Sequence, residues 1–128
     1  MYIDTQILIA AFIKESEYHK EARKIVLKAK EIKISIVSLL ELYYVLLYKL
    51  KVSLGDVFKY LEFLLLNPKI KIVSPSKNEI YMALQILKKE KINPKRFSDK
   101  IILAQSVRDE LATFDKELRK EHEAYRFR

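Results

Sequence analysis

Short runs rich in β-branched residues alternate with helix-length segments along the whole of this chain. Residues 1–3 are an apolar opening run, Ile32-Lys33-Ile34-Ser35-Ile36 alternates apolar and polar, Ile70-Lys71-Ile72-Val73 does the same, and residues 111–114 close the series. Between them lie stretches with a helical apolar period, such as residues 17–30, where Ala22, Ile25, Val26 and Ala29 share one face. Strands separated by helices are joined by crossovers, which make neighbouring strands parallel. The expected fold is therefore α/β, a parallel sheet between helical layers, in a single domain over residues 1–128.

Punctuation refines this outline. Ser38-Leu39-Leu40-Glu41 and Ser76-Lys77-Asn78-Glu79 have the form of capping boxes, and Ser53 and Ser98 stand where N-caps belong. Helices are expected over residues 5–12, 17–30, 38–51, 53–66, 76–90, 98–109 and 115–121. Asn67-Pro68 stops one of them and Asn93-Pro94 forces a loop. A last edge strand is expected at residues 125–127. The only glycine is Gly55, which excludes Gly-rich phosphate loops of the usual form.

Half of the residues are hydrophobic, enough for a buried core. The absence of cysteine removes disulfides, thiol catalysis and Cys-ligated zinc. The net charge of +8 points to an anionic partner, nucleic acid first, although a Lys- and Glu-rich thermophilic surface produces a similar composition. The opening residues include Asp4 and lack a basic leader, so no signal peptide is expected. Glu41 and Lys49 interrupt the longest apolar stretch, so no membrane span is expected either. A soluble cytoplasmic protein follows. His19 and His122 fall in charged helical segments and read as solvated surface residues.

Four acids stand out against this frame. Asp4 and Asp115 end the first and last strand segments, while Glu41 and Asp99 fall in the first turns of two helices. Each has a structural explanation as a cap or first-turn acid. Together they share the carboxyl edge of a parallel sheet, where such folds build sites, with no basic residue expected between them. Oxygen donors gathered in this way suit Mg²⁺ or Mn²⁺. A metal-dependent phosphodiester enzyme is the leading expectation.

The segments carrying these acids resemble the signatures of PIN-domain ribonucleases. They are Met1-Tyr2-Ile3-Asp4-Thr5, Ser38-Leu39-Leu40-Glu41-Leu42, Phe97-Ser98-Asp99-Lys100-Ile101-Ile102-Leu103-Ala104 and Ala112-Thr113-Phe114-Asp115-Lys116. Within that family, free-standing domains of this length resemble VapC toxins of VapBC toxin–antitoxin pairs, and the composition suggests an archaeal thermophile. The resemblance implies a three-layer α/β/α sandwich with four or five parallel strands. It implies endonucleolytic, Mg²⁺- or Mn²⁺-dependent cleavage of RNA by a homodimer, with an antitoxin as partner. Asp4, Glu41, Asp99 and Asp115 take the acidic, metal-binding roles, Asp4 and Asp99 ranking first as ligands, and Thr5 and Thr113 supply supporting hydroxyls. Gln6 stands where the family commonly has Asn, and Lys100 where a small residue is frequent. An RNA-processing nuclease without an antitoxin, and a catalytically silent RNA- or protein-binding module, are the alternatives.

Two further surfaces are marked by residue type. Lys14, Lys95, Arg96, Lys100 and Lys116 lie near the expected edge and are candidates for RNA phosphate contacts. Residues 38–66 carry more apolar side chains than one core-facing stripe needs, and Tyr43, Tyr44, Tyr48, Tyr60 and Phe63 are candidates for a partner interface.

Overall fold

The computed structural model describes residues 1–90 and 96–126. Strands β1 (Tyr2–Ile3), β2 (Ile32–Ser35), β3 (Ile70–Val73) and β4 (Leu111–Ala112) alternate with helices α1 (Thr5–Phe12), α2 (His19–Lys28), α3 (Ile36–Tyr44), α4 (Leu54–Leu66), α5 (Lys77–Lys89), α6 (Phe97–Ser106) and α7 (Lys116–Arg126). The strands form one parallel sheet in the order β3-β2-β1-β4. Tyr2 sits in register with both Lys33 and Leu111, and Ser35 with Val73. The chain leaves β1 toward β2 on one side and reaches β4 on the other. The carboxyl ends of β1 and β4 therefore flank the switch point of the sheet.

Burial divides between the two sides of an α/β/α sandwich. The main cluster joins Ile3, Ile32 and Ile34 of the sheet to Ile7, Leu8 and Ala10 of α1, Ala22 of α2, Leu42 of α3, and Val57 and Leu64 of α4. Smaller clusters join Ala83 and Ile86 of α5 to Ile101, Leu103 and Ala104 of α6 and Leu118 of α7. Each fully buried aliphatic side chain here contributes about 1.5–3 kcal/mol. Helix α6 lies deepest: every residue from 100 to 106 is buried.

Several expected boundaries move, each for a local reason. Helix α3 starts at Ile36, because the Val37 N–H donates to Ser35 Oγ at 3.2 Å and caps the helix three residues earlier than a Ser38 cap would. Ser38 lies inside the helix, fully buried, so its expected capping box with Glu41 does not form. The helix then widens into a π turn over Val45–Lys49, and Lys51 reverses the chain with a left-handed φ of 55°. Helix α6 begins at Phe97 with Ser98 inside it, and no side chain caps it. The Ser53 cap and the Ser76–Glu79 capping box form as the sequence suggests. Residues 125 and 126 extend α7, so the expected edge strand is absent there, and Phe127 is outside the described residues. The helical spacing of the inward-facing Leu118, Glu121, His122 and Tyr125 outweighs the short aromatic pattern that suggested a strand.

Both histidines also differ from expectation. His122 is buried, with Nε2 at 2.9 Å from the carbonyls of Ser106 and Asp109, so it closes the end of α6. His19 is half-buried and its Nδ1 donates to the Ala10 carbonyl at 2.7 Å, tying α2 to α1.

An ion pair outside the site supplies a pH-dependent element. Lys33 donates to Asp109 Oδ2 at 2.8 Å, and the Met1 amine lies 3.4 Å from Oδ1. Burial works to raise the Asp109 pKa, but the Lys33 bond, the Glu110 N–H and the nearby positive charges bring it down to about 2. A depressed carboxyl pKa stabilises the fold above the unfolded value and loses that contribution as pH falls through the folded value. Both side chains are a quarter to a third exposed, so the effect is about 1 kcal/mol after screening. Asp109→Asn is expected to lower stability by that amount from pH 5 upward, converging with the parent near pH 2. Urea unfolding across this range measures it; a constant difference down to pH 2 contradicts the linkage.

Candidate active site

Asp4 follows β1 directly and is buried. The Ile7 N–H donates to its Oδ1 at 3.1 Å, capping α1, while the Thr113 hydroxyl donates to its Oδ2. Thr113 follows β4, so this bond crosses the switch point. The same hydroxyl accepts the Asp115 N–H at 3.0 Å, linking the two acids through one side chain. Burial raises the Asp4 pKa; the bonds to Thr113 and Ile7 oppose it, and the charges of Asp99 and Asp115 add to it.

Glu41 projects from the second turn of α3 and accepts the Thr5 hydroxyl at 3.2 Å. Burial is again the main cause of its raised pKa, opposed by bonds from Thr5 and Ser98 and reinforced by the charges of Asp99 and Asp4. These mutual influences bring Asp4, Glu41 and Asp99 into one electrostatic neighbourhood. From the sequence Ser98 reads only as an N-cap; its position beside Asp99 was the available signal for a bond to Glu41.

Asp99, in the first turn of α6, and Asp115, at the start of α7, are held differently. Asp115 Oδ1 caps α7 by accepting from Glu117 and Leu118. Its Oδ2 and Asp99 Oδ2 both face the Arg96 guanidinium: Nε donates to Asp99 at 2.9 Å, one terminal nitrogen pairs with Asp115, and the other donates to Glu117 at 3.1 Å. Burial works against ionisation of Asp115, but the Leu118 N–H and the Arg96 charge leave its pKa lowered. A basic residue thus does stand among the acids, contrary to expectation. The loop containing Asn93-Pro94 gave no sign of where its last residue would point. The four acids are oxygen donors of the kind a hard divalent cation takes. Among the described residues, no three His, Cys, Asp or Glu side chains are gathered as a ready-made ion site.

The family model described as PIN domain matches residues 1–121. The chain belongs to the PIN-domain family. Among solved structures, this PIN domain is similar to Mycobacterium tuberculosis VapC20, a sarcin-ricin loop cleaving toxin, with a TM-score of 0.77 and 15% identity over 93% of this chain and 92% of that one. At that identity the likeness is one of fold, and it agrees with the four-stranded parallel α/β/α architecture. No curated protein matches the sequence.

The other candidate residues of the PIN domain separate into two groups. Lys14 and Lys116 are exposed, and Lys95 lies outside the described residues. Lys100 is 1% exposed and paired with Glu90 and Glu121, so the expectation that it meets RNA is corrected. Helical geometry is the reason: one residue past Asp99, its side chain turns away from the sheet edge toward α5 and α7. Gln6 is exposed and lines a shallow cleft with Tyr18, Phe114 and Asp115. Of the aromatic set, Tyr44, Tyr48 and Phe63 are more than half exposed, with Tyr44 and Tyr48 rings 5.1 Å apart. Tyr43 and Tyr60 pack on the main core, Tyr60 stacked on Phe12 at 4.6 Å. No helix among the described residues is long and apolar enough to cross a membrane.

Proposed function

We propose that this PIN-domain protein is a metal-dependent endoribonuclease, the toxin of a type II toxin–antitoxin pair acting in the cytoplasm. The observation that carries this reading is the electrostatic neighbourhood shared by Asp4, Glu41, Asp99 and Asp115 at the carboxyl edge of a PIN-family sheet, with Asp4 buried, Glu41 half-buried and both bonded by threonine hydroxyls. The fold likeness to VapC20 favours a toxin over an RNA-processing nuclease.

Asp4 and Asp99 would hold a Mg²⁺ or Mn²⁺ ion, with Glu41 and Asp115 beside them. Their fit is chemical: Asp4 and Glu41 are carboxylates disfavoured as anions by burial and by one another, and a divalent cation relieves both. When bound, such an ion supplies a water-derived nucleophile near neutral pH and neutralises charge on the phosphate. Thr113 fixes the Asp4 carboxylate through its hydroxyl and keeps Asp115 at a set distance from it. Thr5 orients Glu41, which would serve as the carboxylate that takes a proton from the attacking water. Lys14 and Lys116, both exposed, would meet phosphates flanking the cut through their charge.

An antitoxin segment would seat its apolar side chains in a 380 Å³ cavity beneath α1, α2 and α4, lined by Leu8, Phe12, Val26, Tyr60, Phe63 and Ile70. The exposed Tyr44 and Tyr48 provide the contact for a homodimer in this reading.

Purified protein incubated with a long labelled RNA is expected to make internal cuts with Mn²⁺ or Mg²⁺, to stop in EDTA, and to resume when the ion is restored. Internal cutting that persists unchanged in EDTA would overturn metal dependence. Absence of both cutting and Mn²⁺ binding would favour the silent binding module, in which the acids are caps alone.

A further inference from the structure

The acids' own counter-ion is the least expected feature of the site. Arg96 is the residue just before α6, and its guanidinium touches three carboxylates from two helices: Asp99, Asp115 and Glu117. Its side chain is only 22% exposed. Glu117 is 78% exposed, so the third contact is peripheral and the grip rests on the two inner acids. Arginine suits this arrangement because its planar fork meets two carboxylates at once and stays charged. Asp99 and Asp115 are also two of the four oxygen donors assigned above to the divalent ion. One pair of Oδ2 atoms cannot serve a guanidinium at hydrogen-bond distance and a small, closely coordinated cation together.

We propose that Arg96 is a resident counter-ion of the site, occupying the inner faces of Asp99 and Asp115 until a divalent cation displaces it. This rests on the metal-dependent reading above. Two populations follow. In one, Arg96 neutralises two acids, and the buried Asp4 and half-buried Glu41 keep their surplus negative charge. In the other, Asp99 and Asp115 would be free to hold the ion with Asp4, and the guanidinium would turn toward Glu117 and solvent. The ion's apparent affinity is then reduced by the fraction of molecules in which Arg96 holds the acids. Arg96 is a positioning residue in this scheme, setting how much free metal the protein needs.

Manganese binding, read by the loss of the free Mn²⁺ electron paramagnetic resonance signal without RNA, tests this apart from cleavage. Arg96→Gln is expected to bind Mn²⁺ roughly tenfold more tightly than the parent, because it removes the competing charge but keeps a polar side chain. Arg96→Lys, which keeps the charge and loses the fork, is expected to fall between them. In the unmodified protein, saturating Mg²⁺ is expected to shift the Arg96 Nε–H resonance to that of a free guanidinium. Asp4→Asn serves as the control for the ion site itself. If Asp4→Asn weakens Mn²⁺ binding while Arg96→Gln binds no tighter than the parent, Arg96 is a structural tie and the counter-ion proposal fails alone. An Arg96 Nε–H resonance unmoved at Mg²⁺ saturation has the same meaning, and does not depend on the variants folding. If parent, Arg96→Gln and Asp4→Asn all bind alike, the metal site and the counter-ion fail together.

Discussion

Asp4→Asn is expected to reduce Mn²⁺-dependent RNA cleavage on the order of a thousandfold, the several kcal/mol that metal-assisted stabilisation of a phosphoryl transition state supplies. The substitution removes one negative charge and almost no volume. Asparagine retains an oxygen to accept the Ile7 N–H and so to cap α1. Its amide nitrogen then meets the Thr113 hydroxyl, which can turn to accept. Burial already disfavours the Asp4 anion, so removing its charge should leave the metal-free melting temperature equal to or slightly above the parent's. That separation of activity from stability is what distinguishes a ligand from a cap. Initial rates on a labelled RNA, with melting curves in EDTA, measure both. Cleavage at the parent rate by a folded Asp4→Asn protein removes Asp4 from the site.

The second large effect lies away from the chemistry. Lys100 is fully buried, its ammonium donating to both Glu121 oxygens at 2.8 and 2.7 Å and pairing with Glu90. Burial works against its charge, and the two glutamates overcome that. The clasp joins the end of α5, the start of α6 and the middle of α7. Replacing both partners, Glu90→Gln with Glu121→Gln, strands a buried cation and is expected to cost about 3–5 kcal/mol. For a chain of this size that is a fall of roughly 10–20 °C in melting temperature. Adding Lys100→Met to the double variant should recover most of the loss, since an apolar side chain of similar length needs no partner. Failure of this third change to recover stability would locate the loss in the glutamates and not in the stranded ammonium.

The sheet was legible because β-branched alternation and helical period seldom mimic one another over several segments. Thus Ile32 to Ser35 and Ile70 to Val73 pair in the parallel register that the alternation implies. The acids were legible as a set for the same topological reason. Capping and the proposed site role are compatible, although they look like alternatives in the sequence. Asp4 and Asp115 each give Oδ1 to a helix terminus and leave Oδ2 facing inward. What stayed hidden depends on side-chain direction over long separations. Nothing near Arg96 in sequence indicates that it meets Asp115 and Glu117 nineteen and twenty-one positions later. Lys100 and His122 were hidden by a rule that is right on average: charged and polar residues in charged segments face water, except when specific partners await them inside.

The depth of α6 has a kinetic corollary. A helix buried continuously over residues 100–106 has few routes to solvent short of unfolding the domain. Its amides should be among the last to exchange with deuterium, well after those of α2, where only Ala22 is buried. Asp99 is mounted on the first turn of that slow-opening element. Fraying of the outer helices would therefore leave its backbone in place, so the site's geometry outlasts the loosening of much of the surface around it.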